Sequence, residues 1–186
     1  MQTMTTQTLT QTTTWNLDPA HSVAEFKVKH MMISNVKGRF TGVKGELALD
    51  GENIANSKIE ATIEAATITT GEPQRDAHLK SADFFDVEKF ATLGFRSTGV
   101  KAKGDGELAV TGELTIHGVT RPVVFEVEGP TAPAKDPWGN LRVAISAKTK
   151  INRKDYGLTW NAALETGGIL VGEEVIITLE VQFVKA

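Results

Sequence analysis

The chain has 186 residues, 40% of them hydrophobic and 23% charged, with a net charge of -3 and no cysteine. That length fits one domain able to bury about two-thirds of its unfolded surface. The missing cysteines exclude disulfides and thiolate chemistry, the lack of a basic stripe in the linear sequence argues against nucleic acid or an anionic membrane, and no apolar run approaches the roughly 20 residues of a transmembrane segment.

In chain order, residues 1–14, MQTMTTQTLTQTTT, are mostly Thr and Gln without Lys, Arg or an apolar core segment. They do not read as a secretory signal, and a disordered tail is expected there. On that basis the protein is expected in the cytoplasm if Met1 is the native start, and in the periplasm if the chain is a processed form. Residues 15–186 read as a single domain.

Period-two alternation runs through that domain. SVAEFKVKH (22–30) puts Ala24, Phe26 and Val28 on one face and Glu25, Lys27 and Lys29 on the other, with His30 next on the apolar face. GRFTGVKGELAL (38–49) continues as a curved strand in which Gly38, Gly42 and Gly45 mark bends. KIEATIEA, TLGFRSTG, GELAVTGELTI, VVFEV, LRVAISAKTKI and EVIITLEVQF each alternate in the same way. Asp50-Gly51, Gly104-Asp105-Gly106 and His117-Gly118 read as hairpin punctuation.

Two interruptions read as helical. EPQRDAHLKSADFFDVEKF (72–90) has Pro73 suited to a first turn, with Ser81 able to cap a second turn that carries Phe84 and Phe85 inward. INRKDYGL (151–158) is a brief turn leading toward Trp160. About eight strands, each with one wet and one dry face, predict an all-β sandwich or an up-and-down barrel. The dry faces mix bulk (Phe26, Ile63, Phe95, Phe125) with small residues (Ala24, Ala61, Ala65, Gly99, Gly112, Ala147). Small residues leave room, so pattern alone keeps both a filled core and a ligand cavity open.

No phosphate loop or nucleophile elbow occurs, and His21, His30, His78 and His117 show no zinc spacing. His30 has two readings, a strand-end group bonded to a backbone carbonyl or a polar group at the mouth of a cavity. His21 and His117 read as turn residues. Trp15, Trp138 and Trp160 read as packing anchors rather than stacking platforms.

Four ordered segments resemble the YceI-like family: WNLDPAHSVAEFKVKHMMISNVKGRF, RDAHLKSADFFDVEKFATLGFRST, GELTIHGVTRPVVFEV and INRKDYGL. The likeness extends from Trp15 to Phe183. It implies an extended, lipocalin-like antiparallel β-barrel of about eight strands with one or two short helices, whose long apolar cavity takes a polyisoprenoid or similar amphiphilic lipid. It also implies pairing as a homodimer. Many members of the family carry a signal peptide to the periplasm, a pattern from which residues 1–14 are expected to depart.

The reading is therefore a non-enzymatic protein that binds, stores or carries an isoprenoid such as a quinone or its precursor, requiring no cofactor and no metal. Phe26, Val28, Ile63, Phe95, Phe125 and Ile145 are expected to line the cavity, with His30, Arg75, His78 and Asp155 at its polar end. Catalytic residues are not expected. The alternatives are an enzyme that modifies an amphiphile in the same cavity, with His30 or His78 as general base, and a filled barrel whose outer surface serves a partner protein.

Overall fold

The computed structural model describes residues 11–186. The expected disordered tail falls mainly on residues 1–10, which lie outside the described residues. Its last part is strand instead: β1 (Thr12–Leu17) pairs Thr12–Thr14 with Ala48–Asp50. The threonines are polar yet β-branched, and so suit a strand. Trp15, 3% exposed, anchors them by donating its indole N–H to Thr13 Oγ1 at 2.9 Å.

The other strands are β2 (Val23–His30), β3 (Ser34–Phe40), β4 (Val43–Asp50), β5 (Lys58–Glu64), β6 (Ile68–Thr69), β7 (Thr92–Gly104), β8 (Glu107–Ile116), β9 (Val119–Glu128), β10 (Ala134–Lys135), β11 (Leu141–Asn152) and β12 (Val171–Lys185). One α-helix, α1 (Pro73–Lys80), lies between β6 and β7. The sheet runs β11-β9-β8-β7-β5-β4-β1-β12, and β12 pairs back onto β11 from Asn152↔Glu174 to Arg142↔Val184. β1 and β2 lie end to end on β12, and their partners β4 and β3 lie end to end beside them. Each couple is one stave, so the molecule is a closed, antiparallel, eight-stave barrel.

Local chemistry sets the bends. Between β1 and β2, Pro19 opens a short turn over Pro19–His21, and Asp18 accepts from the Ala20 N–H at 3.0 Å. That turn is stitched to β12 through Asp18 N–H to Gln182 O at 2.8 Å and Gln182 N–H to Ser22 Oγ at 3.1 Å. Between β3 and β4 the chain bends at Gly42, whose N–H donates to Thr67 Oγ1 at 3.0 Å. A side chain at Gly42 would meet Thr67 Cγ2 at 2.7 Å.

Asp105-Gly106 and His117-Gly118 form the expected hairpin turns, all four residues having positive φ. Asp50-Gly51 does not. Asp50 is 1% exposed and its carboxylate accepts from Glu52 N, Asn53 N and Asn56 Nδ2, organising a longer connection to β5. Those bonds, led by the Asn53 N–H, hold its carboxyl below the usual range. Gly99 leaves the dry face because β7 bulges between Ser97 and Gly99. The bulge shifts the alternation by one residue, so Val100 points inward. Trp138 is no packing anchor: it is 82% exposed in the connection between β9 and β11.

Residues 65–91, joining β5 to β7, carry α1 across one end of the barrel. β6 docks this segment on β3 through Arg39↔Thr69 and Phe40↔Ile68. Glu72 caps α1, accepting from Gln74 N at 3.3 Å and Arg75 N at 2.7 Å, while Pro73 occupies a first-turn site where its missing N–H costs nothing. Ser81 ends the helix, its hydroxyl donating to His78 O at 2.6 Å. The following turn brings Phe84, 7% exposed, and Phe85 inward.

Candidate functional site

Inward side chains from all eight staves surround a cavity of about 380 Å³, within the roughly 300–1,000 Å³ typical of ligand sites. Ala24, Phe26 and Val28 line it from β2, and Val43 and Leu47 from β4. Ile59, Ala61 and Ile63 come from β5, Leu93, Phe95 and Val100 from β7, and Val110 and Leu114 from β8. Phe125 and Val127 of β9, Ile145, Ala147 and Ile151 of β11, and Val175, Ile177 and Leu179 of β12 complete the wall. The structure thereby resolves the open question of a filled or hollow interior: the small dry-face residues Ala24, Ala61 and Ala147 border space.

Two rings reach into this space over glycines. Gly38 is the register partner of Phe26, and the Phe26 ring covers it so closely that an added Cβ would lie 2.3 Å from Phe26 Cζ. Gly112 similarly receives Phe95, whose ring packs edge-on against Phe125 at 5.2 Å between centroids. Each glycine lets a large apolar ring lie flat on the barrel wall.

Polar groups gather at the end crossed by α1. Arg75 lines the cavity while its Nε donates to Thr70 Oγ1 at 2.7 Å and its Nη2 to Thr70 O at 3.2 Å. His78 Nε2 lies 2.8 Å from Asp83 Oδ2. Its ring stands edge-on to Trp160 at 4.7 Å and to Phe84 at 5.1 Å, forming an aromatic end wall. Asp76, two residues before, points elsewhere and accepts from Thr69 and Thr70. Burial pulls its carboxyl upward, and the threonine donors outweigh that and hold it below the usual range.

His30 is half-buried and borders the cavity. Among the described residues its ring makes no hydrogen bond, so the reading as a carbonyl-bonded strand end finds no partner there. Of the ten residues expected at the site, Phe26, Val28, His30, Ile63, Arg75, His78, Phe95, Phe125 and Ile145 border the cavity. Asp155 does not. It is exposed on the short turn after β11, where its backbone carbonyl accepts from Arg121 Nε at 3.2 Å.

Arg153 is the residue that sequence reasoning missed. It is 4% exposed, and its guanidinium donates to four carbonyls: Gly172 at 2.8 Å, Leu158 at 2.6 Å, Trp160 at 2.9 Å and Val171 at 3.2 Å. Burial lowers its pKa from the ordinary arginine value. A signal existed: Arg153 continues the parity of Val143, Ile145, Ala147 and Ile151, as His30 continues that of Phe26 and Val28. Trp160, Leu79 and Phe85 also border the cavity. Among the described residues no three His, Cys, Asp or Glu side chains come together as a metal site, and no helix is long and apolar enough to cross a membrane.

The YceI-like domain family model matches residues 15–183. A UPF0312 protein of Vibrio cholerae is 40% identical over 139 residues, covering 75% of this chain and 73% of that protein. A UPF0312 protein of Ectopseudomonas mendocina is 37% identical over 139 residues, covering 75% and 72%. Among solved structures, the Campylobacter jejuni YCEI protein is 28% identical with a TM-score of 0.71, over 85% of this chain and 90% of that one. The polyisoprenoid binding domain from Saccharophagus degradans shares the fold, with a TM-score of 0.69 and 16% identity over 92% and 98% of the two chains.

Proposed function

The chain belongs to the YceI-like family, and from that premise we propose that it binds a polyisoprenoid or a related amphiphilic lipid, such as a quinone or its prenyl precursor, in the barrel cavity. The observation that carries this reading is the cavity wall itself: apolar side chains on all eight staves, with His30, Arg75, His78 and Arg153 at the end crossed by α1 and Ser57 and Lys58 at the start of β5. The polyisoprenoid binding domain from Saccharophagus degradans, which shares the fold, supports the choice of ligand class.

The physics favours a chain over a compact ligand. Burying apolar surface gains about 0.8 kcal/mol per methylene, so a few isoprene units gain on the order of 10 kcal/mol gross. Association costs roughly 4–15 kcal/mol. A useful net affinity therefore needs most of a prenyl chain inside, with His30, Arg75 and His78 orienting its polar head rather than supplying the affinity. Such a role requires neither a cofactor nor a metal, and suits storage, shielding or transport of the lipid.

Titration with geranylgeraniol, followed by quenching of tryptophan fluorescence, tests the reading. Saturable binding that survives His30→Ala and His78→Ala is expected; absence of uptake in the wild-type protein would overturn it. One observation favours a second reading. His78 held by Asp83 at 2.8 Å has the form of a base and its orienting group at the end of a substrate cavity. In that case His78→Ala would leave binding intact and abolish turnover of the bound amphiphile.

A further inference from the structure

Three consecutive apolar residues stand in solvent at the tip of the β2–β3 hairpin: Met31, Met32 and Ile33, exposed by 39%, 59% and 78%. Single exposed apolar side chains are ordinary, whereas a contiguous group marks an interaction site. The turn is closed by Ile33 N–H to His30 O at 3.2 Å, and its two central residues, Met31 and Met32, have φ of 52° and 60°. That backbone is the one Asn-Gly fills with least strain. Methionines here carry a conformational cost that the fold of the hairpin does not require.

The flank of the same hairpin is basic. In the β2–β3 register Lys27 lies directly opposite Lys37, Lys29 lies one inward-outward repeat nearer the tip, and Arg39 lies opposite Glu25. Like charges facing each other across a sheet are unfavourable. Among the described residues none of these four cations joins an ion pair, and Glu25 is the one carboxylate on the two strands. This concentration of positive charge occurs in a chain whose net charge is -3. The hairpin also adjoins the cavity: Val28 and His30 border it, and Met31 N–H donates at 2.7 Å to the carbonyl of Leu170, another lining residue.

We propose that this hairpin docks the barrel onto an anionic phospholipid surface. Met31, Met32 and Ile33 enter the interfacial layer, and Lys27, Lys29 and Lys37 lie against the headgroups, the combination by which interfacial segments bind. Docking in this way presents the polar end of the cavity to a bilayer, where an amphiphile can exchange. That purpose rests on the lipid-binding reading, whereas the docking itself rests on the hairpin.

Co-sedimentation with vesicles of equimolar phosphatidylcholine and phosphatidylglycerol tests the proposal. The wild-type protein should pellet with these vesicles, pellet far less with pure phosphatidylcholine, and be released by salt as screening shortens from about 10 Å at 0.1 M to 3 Å at 1 M. Lys27→Glu with Lys37→Glu should weaken binding by ~tenfold or more, and Met32→Asp with Ile33→Asp should abolish it. Both pairs alter hairpin positions outside the cavity wall, with Met32, Ile33 and Lys37 exposed and Lys27 half-buried, so uptake of geranylgeraniol by native mass spectrometry should persist. Ile63→Trp should do the reverse, losing uptake and keeping docking, which separates failure of one reading from failure of the other. Equal pelleting with neutral and anionic vesicles would overturn the proposal. So would tip variants that bind like wild type, or tip variants that merely split a homodimer while no form binds vesicles.

Discussion

Gly38→Ala probes the hollow interior with a single methyl group. Gly38 faces Phe26 across the β2–β3 pair, and the added methyl would lie 2.3 Å from Phe26 Cζ, 2.6 Å from Cε1 and 3.0 Å from Thr70 Cγ2. All three are side-chain atoms, and the Phe26 ring borders the cavity. The ring can therefore yield into open space. A displacement of ~30° from its rotamer costs roughly 0.5–1.5 kcal/mol. Replacing an extended glycine by alanine returns about 0.4–1 kcal/mol by restricting the unfolded chain. The two nearly cancel, so stability should change by less than ~1 kcal/mol, or about 2–4 °C in Tm for a chain of this size.

The displaced ring takes its space from the ligand. In wild type, geranylgeraniol at about 100 times its Kd should stabilise the fold by roughly 2.7 kcal/mol. In Gly38→Ala that rise in Tm should shrink while the ligand-free Tm barely moves. Scanning calorimetry with and without geranylgeraniol reads both quantities. A loss of ~3 kcal/mol without ligand, the upper range for overpacking a filled core, together with an undiminished ligand response, would refute the reasoning.

Gly112→Ala should behave differently, because its methyl would meet the Arg96 backbone carbonyl at 2.5 Å as well as Phe95 Cζ at 2.4 Å. Backbone cannot swing aside, so a loss of about 1–3 kcal/mol in urea unfolding is expected, and wild-type stability would contradict it. Arg153→Met leaves the carbonyls of Gly172, Leu158, Trp160 and Val171 without their donor. It should cost at least ~3 kcal/mol and speed amide exchange across residues 158–172; unchanged exchange there would count against the assignment. Arg142 joins Asp18 at 2.6 Å to Asp136 at 2.8 Å, and it is the main cause, with His21 assisting, that pushes the Asp18 carboxyl down to about 2. Asp136 is likewise held below the usual range, first by Arg142. Carboxyls depressed in the folded state stabilise it above their unfolded pKa of about 3.9, and that contribution is lost as acid protonates them. Stability should therefore fall between about pH 4 and pH 2, and Arg142→Met should flatten that fall in acid titrations followed by circular dichroism; an unchanged slope would remove Arg142 from the account.

Most of the barrel was legible because period-two alternation reports one dry face, and a closed antiparallel barrel has one on every stave. Phe26, Ile63, Phe95, Phe125 and Ile145 followed directly from that parity. The failures mark where something other than alternation decides the geometry. The bulge at Ser97–Gly99 moved Gly99 outward and Val100 inward, and nothing in TLGFRSTG announces the extra residue. Asp50-Gly51 looked like a hairpin, but the Asp50 carboxylate organises a longer loop through three donors. Trp138 reads as a packing anchor, yet it sits in the turn between the paired strands β10 and β11 and is 82% exposed.

The polar end was harder to read because it is assembled from distant segments. Arg75 and His78 come from α1, His30 from the end of β2, and Arg153 and Trp160 from the segment after β11. Asp155 shares a short turn with Arg153 but faces away from the cavity. Tight turns reverse side-chain direction within two residues, so proximity in sequence was a poor guide there. Parity alone does not separate Arg153 from Asp155: both continue the odd positions past Ile151, and the turn that follows β11 decides which of them enters the barrel.

Native mass spectrometry of the gently purified wild-type protein, followed by lipid extraction, tests the central claim most directly. A co-purifying amphiphile of prenyl character, or stoichiometric uptake of added geranylgeraniol that Ile63→Trp prevents, is the result expected from a hollow apolar barrel. Bare polypeptide from several expression hosts, with no uptake of the added prenol, would contradict it.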